Sequence, residues 1–350
     1  MPSVFLTRPA ARPILSALAL ALALALPGRL AAELVWTPEN GWKIEGGVLS
    51  GLIGSEGRNA LGLMNEARTG EEKGKVRPAI KDYERVGKRY SNSIYAPEAL
   101  YRAARLQRDL KKYNKSFNNF QTVVSRYPNT TRFDEIIGEQ YHLGATLLNG
   151  ARGRFLWLFP GFTNREKGIQ FLETVIFNAP YSDYAPLALL DIAHAHHYLG
   201  ETAETLYALD RLVNNYGNSV LSPDAYLKLG ETYASLVDSP YHDQGSTKEA
   251  VTYFEDFMIL YPGDNQVSAA EKGLAGMKTT LAESKIKIAD FYFKRRDNYQ
   301  AARVFYNEAI TIYPDSPVAA TARARLGEVE SAAKAAADLP QQKKRRPWVF

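Results

Sequence analysis

The chain has 350 residues, 45% of them hydrophobic, which excludes wholesale disorder and allows one or two compact domains or a single elongated repeat array. Cysteine is absent, so disulfides, zinc–thiolate sites, thiol catalysis and lipidation of a cysteine after a leader are excluded. Residues 1–32 hold three arginines and no acid, leaving 40 basic against 38 acidic residues, which is no footprint for nucleic acid.

In chain order, residues 1–32 read as a secretory signal peptide. Arg8 and Arg12 start it, and Ile14–Leu26 supplies an apolar run of 13 residues. Pro27-Gly28 breaks the run, and Leu30-Ala31-Ala32 offers small residues for cleavage before Glu33. The run is short of the roughly 20 apolar residues that a spanning helix needs. Residues 33–58, with Trp36, Trp42 and several glycines, have little helical period and suggest a short hairpin or an extended lead-in strand.

Repetition dominates the rest of the chain. A small residue is followed four later by an aromatic or Leu, three later by an apolar residue, then by Tyr-Pro or a relative. The copies begin at Ala79, Ser116, Gly168, Thr205, Ala250 and Ala302. Their second members are Tyr83, Phe120, Leu172, Leu209, Phe254 and Tyr306, and their third are Val86, Val123, Val175, Leu212, Phe257 and Ala309. Spacing of four and three puts each set on one helix face, and the terminal proline stops the helix. Another helix precedes each phrase, as in Ala99-Leu100-Tyr101-Arg102-Ala103-Ala104. The frame fits the tetratricopeptide period of about 34 residues without gaps at 97–130 and 283–316. Insertions fall between Leu147 and Gly168, where 155–162 is aromatic, and within 234–249.

The fold class is therefore all-α, a solenoid of about six helical hairpins whose first helices line a concave binding surface. The Ala-rich stretch 318–337 reads as the capping helix, and Lys343, Lys344, Arg345 and Arg346 make 339–350 a basic tail, in which Trp348 and Phe350 could dock. The organisation expected is a 1–32 signal peptide, a 33–58 non-repeat segment, 59–167 extra N-terminal repeats with the aromatic insertion, 168–338 the main repeats with the capping helix, and the 339–350 tail.

The chemistry-bearing motifs are sparse. His194 and His197 lie three apart on one helix, but no glutamate stands at zinc-protease spacing, so they read as surface and seam residues. Neither a phosphate loop, a dinucleotide glycine pattern nor a Gly-x-Ser-x-Gly elbow occurs. The reading is a non-enzyme with no cofactor and no metal. In the 97–130 frame, Glu98, Tyr101, Arg105 and Arg108 fall on the concave side of a first helix. They form a candidate protein-binding row in which Tyr101 would stack on aromatic residues and the arginines would bind carboxylates.

From Gly168 to about Gly327 the chain resembles the YfiO/BamD family of outer-membrane assembly lipoproteins. The likeness rests on Ile169-Gln170-Phe171-Leu172-Glu173, Ala179-Pro180-Tyr181-Ser182, Ala185–Ala193, Asp224–Gly230, Asp243-Gln244 with Glu249-Ala250, and the run from Ala282-Glu283-Ser284-Lys285 to Tyr299-Gln300-Ala301-Ala302. The repeats within 60–147 are additional to the usual five, and the family's lipid-bearing cysteine is missing. The resemblance implies a periplasmic scaffold, peripheral at the outer membrane and held there by partner proteins. Its early repeats would receive unfolded β-barrel proteins, and its late repeats would grip the periplasmic domains of the barrel insertase. By position those would be repeats within 168–233 and 283–327. A second reading is a periplasmic coordinator of cell-envelope or division complexes, which should lack the 234–249 insertion and the long helix after Pro262.

Overall fold

The computed structural model describes residues 33–37, 41–45, 55–155, 159–239 and 244–338. The leader, the basic tail and the side chains of the aromatic insertion, 155–162, lie outside the described residues. Among the described residues the helices are α1 Ser55–Glu72, α2 Val76–Arg89, α3 Ala96–Asp109, α4 Tyr113–Arg126, α5 Phe133–Leu148, α6 Arg165–Asn178 and α7 Tyr184–Leu199. They continue as α8 Thr202–Asn215, α9 Ser222–Ser235, α10 Gln244–Leu260, α11 Val267–Arg296, α12 Tyr299–Ile312 and α13 Pro317–Asp338. Successive pairs form six helical hairpins, and α13 follows as a single helix packed on α12.

Within 33–58, expected as a short hairpin or an extended lead-in strand, two described segments pair as a hairpin, and 38–40 and 46–54 lie outside the described residues. Strands β1 Glu33–Thr37 and β2 Gly41–Glu45 pair antiparallel, with Trp36 opposite Trp42. Two further strands, β3 Arg152–Phe155 and β4 Phe159–Thr163, pair inside the first insertion. The chain divides into two compact units: residues 1–136 with 153–161, and residues 137–152 with 162–350.

The repeated phrase occupies every second helix, α2, α4, α6, α8, α10 and α12, and its small, aromatic or leucine, and apolar members are buried in all six copies. Burying one such aromatic stabilises by roughly 1.5–3 kcal/mol, so these residues carry the hairpin cores. In the second unit, Leu172, Leu189, Ile192, Leu209, Leu212 and Leu229 share one cluster, while Tyr306, Ala302, Ala322 and Val329 share another. The small residue permits close approach. A Cβ on Gly168 would lie 3.0 Å from the Gly144 carbonyl oxygen on α5.

The helix stop differs from the sequence reading. Each second helix ends at the residue before the proline position, with Tyr127 at φ −130° and Tyr313 at φ −145°. Proline disfavours the helical region for the residue preceding it. Tyr90 and Tyr216, followed by Ser91 and Gly217, end their helices in the same way, so proline alone is not the cause. A turn common to all six copies supplies it. The carbonyls of Tyr90, Tyr127, Ala179, Tyr216, Tyr261 and Tyr313 accept from the N–H groups of Ser93, Thr130, Ser182, Ser219, Asp264 and Ser316. Small polar side chains then hold the turn, as where Asp264 Oδ1 accepts from Gln266 N at 2.8 Å. Neighbouring repeats are also tied: the Tyr127 hydroxyl donates to the Ser91 carbonyl, and that of Tyr216 to the Pro180 carbonyl at 2.7 Å.

Candidate protein-binding surfaces

Tyrosine, with 21 copies, does more than fill space. Among the described residues, five buried or half-buried tyrosines donate to a carboxylate. Tyr83 reaches Glu71 at 2.9 Å, Tyr141 reaches Asp191 at 2.9 Å and Tyr253 reaches Asp210 at 3.3 Å. Tyr101 reaches Glu135 and Tyr306 reaches Asp290 in the same way. The ring lies in the apolar layer while its hydroxyl meets an acid at the wetter margin.

In the first unit, α3 brings three of the four candidate residues into one network. Tyr101 is 2% exposed, so its ring does not stack on a bound segment as the sequence reading expected. The Arg132 guanidinium covers it at 4.6 Å and Arg105 approaches it at 5.7 Å. Its apolar side packs on Phe120 at 6.0 Å between ring centres. Burial and the bond to Glu135 push the Tyr101 hydroxyl up to about 12, so it stays a donor. Burial pushes the Glu135 carboxyl up, but bonds from Tyr101 and Arg132, with the Arg132 and Arg105 charges, outweigh it and hold it below its ordinary value. Glu98 accepts from Arg102 and Arg132, both at 2.8 Å. Arg105 is exposed and donates to the Tyr101 hydroxyl at 3.3 Å. Arg108, one turn on, pairs with Asp109 at 3.1 Å. Here each described acid has a cation against it.

In the second unit, α7 presents an open face. A cavity of about 340 Å³ is lined by Asn149, Arg165, Asp191, His194 and Tyr198, with apolar residues of α5 behind them. The Arg165 Nε donates to the Leu148 carbonyl at 3.1 Å, and its guanidinium lies 4.5 Å over the ring of Tyr198, which is 70% exposed. Asp191 bonds only to Tyr141 among these groups. Burial raises its carboxyl above the ordinary value despite that bond and the nearby His194 charge. His194 also borders a smaller space of about 120 Å³ with His197, Thr205, Lys228 and Glu231. His196 points elsewhere, its Nδ1 2.6 Å from Glu201. Among the described residues no cluster of His, Asp and Glu could hold a metal ion. Sequence reading missed Asp191 and Arg165 as surface residues. The signal was a single acid inside the apolar stretch Ala185–Ala195, three residues before His194.

Repeated hairpins, a buried small–aromatic–apolar phrase and a shared stop turn define a tetratricopeptide-type protein. The tetratricopeptide family profile matches residues 98–130. The profile described as YfiO, outer membrane lipoprotein, matches residues 163–345, and the chain belongs to that family. It is similar to the outer membrane protein assembly factor BamD of Xylella fastidiosa strain Temecula1, at 23% identity over 45% of this chain and 56% of that protein. The chain thus spans about half the length of that relative. The factor of the same name from Pasteurella multocida strain Pm70 is 26% identical over 51% of this chain and 75% of that protein. A solved tetratricopeptide protein of Thermus thermophilus aligns at 20% identity, over 62% of this chain and 99% of its own, with a TM-score of 0.28. The family description is that of a lipoprotein, whereas this sequence contains no cysteine. No described helix is long and apolar enough to cross a membrane.

Proposed function

We propose that this chain is a non-catalytic periplasmic scaffold of outer-membrane assembly, peripheral to the membrane and not lipidated, which receives unfolded β-barrel proteins and docks on the barrel insertase. The observation that carries the reading is the open α7 face, within the family-matched hairpins. It offers a cation stacked on an exposed ring, a histidine and an amide around one cavity, the donors that an extended chain with a free carboxylate requires. Arg105 and Arg108 on α3 are proposed to meet acidic groups of bound proteins, with Glu98 and Tyr101 holding Arg105 and its neighbours in place. The α11 helix of 30 residues, together with the inserted 234–249 stretch, favours the assembly factor over the envelope coordinator.

The test is binding of a fluorescent peptide ending in an aromatic residue with a free carboxylate. Arg165→Glu should weaken capture at least tenfold, with unchanged helicity, and amidating the peptide should do the same to the native chain. Equal affinity in all three measurements removes the α7 face as the receptor.

A further inference from the structure

The β1–β2 hairpin is seated on the face that α1 and α3, the first helices of two successive hairpins, present together. The Trp42 backbone N–H donates to Asn65 Oδ1 of α1 at 3.0 Å. The Arg102 guanidinium of α3 lies 4.7 Å over the Trp42 ring, and Arg68 of α1 lies 4.2 Å over Trp36. Both arginines are held from below: Arg68 by Glu71 at 3.4 Å and Glu72 at 3.0 Å, Arg102 by Glu98 at 2.8 Å and Glu71 at 3.7 Å. Gly41 turns into β2 at φ +66°, where a Cβ would come within 2.7 Å of Asn65 Oδ1. The face thus reads two features of what lies on it: aromatic rings, by fixed guanidinium planes, and an extended backbone, by a side-chain amide.

The resident fits imperfectly. Trp42 is 4% exposed, yet its indole N–H is buried without a partner. A buried donor left unpaired opposes the binding that the two cation–π contacts favour. Trp42 also shares a buried cluster with Ala60, Met64, Ala67 and Ala99, against which Leu34 and Trp36 pack, and a second extended segment with paired aromatic rings offers the same apolar surface, ring contacts and backbone bond.

We infer that the α1–α3 face is a receptor for an extended, aromatic-bearing polypeptide segment, and that the chain's own hairpin is its resident occupant. The arginines bind whichever rings are offered in pairs across a strand, and the hairpin keeps the face covered until such a segment arrives. This inference is independent of the α7 reading, since the two faces share no residue.

The test uses the full chain and a fluorescein-labelled peptide of residues 33–45. In the Trp36→Ala/Trp42→Ala chain the resident lets go, and the peptide should bind at least tenfold more tightly than to the native chain. Adding Arg68→Glu should abolish that gain. A second peptide, with tryptophan at the same two positions and threonine at the other strand positions, should bind within tenfold of the first. Gly41→Val, which strains the resident hairpin against Asn65 and leaves the face itself unchanged, should give a smaller gain and serves if the double variant does not fold. Equal affinity for native and released chains overturns the inference. Rejection of the threonine peptide also overturns it, because the face would then accept only its own hairpin as a dedicated cap.

Discussion

The first-helix faces of α3 and α7 use the same residue types and reach different states. On α3, Glu98, Glu135, Tyr101, Arg102, Arg105 and Arg132 saturate one another, and the Trp hairpin covers the neighbouring arginines. On α7, Asp191 has a tyrosine but no arginine, Arg165 bonds a backbone carbonyl, and an open cavity remains between them. The carboxyl titrations follow this difference: Glu135 is held low, against its burial, by the bonds from Tyr101 and Arg132 and by the Arg132 and Arg105 charges, and Asp191 is raised by burial that no arginine offsets. Satisfied polar networks rigidify, whereas underpartnered ones are left for ligands. The α3 network is closed over its own partners, and the α7 face is left open.

The largest expected effects come from overpacking, which tests the repeat frame beneath both faces. Ala302, fully buried on α12, replaced by Trp should cost on the order of 1–3 kcal/mol, and the loss should spread to the adjoining hairpin. Urea unfolding followed by circular dichroism reads it, and an unchanged midpoint would show the frame to be misplaced. Gly168→Val should cost a similar amount at the α5–α6 crossing.

Next in size is a paired substitution that sharpens the contrast directly. Arg132→Ala leaves Glu98 and Glu135 short of a cation and uncovers Tyr101, and should destabilise the first unit by about 1–2 kcal/mol after discounting for solvent exposure. His194→Ala, on an exposed position of the open face, should change stability by less than about 0.5 kcal/mol while weakening peptide capture. If His194→Ala proves the more destabilising of the two, the contrast between the faces collapses.

A third prediction concerns the α3 arginines. Arg105→Glu with Arg108→Glu should lower affinity for an aromatic-ended peptide by about tenfold, or 1.4 kcal/mol, and leave helicity unchanged. Isothermal titration would settle it, and an unaltered affinity would confine capture to α7.

The smallest effects are in pH dependence, and the two faces should have opposite signs. Glu135 lies below its ordinary 4.5, so its contribution is present at neutral pH and is lost as pH falls through the lowered value. Asp191 lies above its ordinary 3.8, so its contribution is greatest in acid and is lost as pH rises through the raised value. Thermal melts between pH 3 and 7 should show Glu135→Gln with a shallower acid-side loss than the native chain. Asp191→Asn should be slightly more stable than native at neutral pH, with its advantage vanishing in acid. Parallel melting curves for both variants would contradict this assignment of signs.

The helical-hairpin fold and the register of its six cores were legible from the sequence. Spacing of four and three between small, aromatic and apolar residues determines which helix face is buried, whatever the neighbours are, and all six phrases occupy buried positions. The family likeness was legible too, because it rests on local runs such as Ala282–Ala302. Tertiary structure alone decided which polar residues are free. Tyr101 and Tyr198 both occupy first helices, yet one ring is sealed under Arg132 and the other stands out beside Arg165. That outcome depends on Glu135, 34 residues from Tyr101, and on Leu148, 17 residues from Arg165. Helix period fixes the direction of a side chain, but its partners come from other helices, and those partners determine whether it is available to bind.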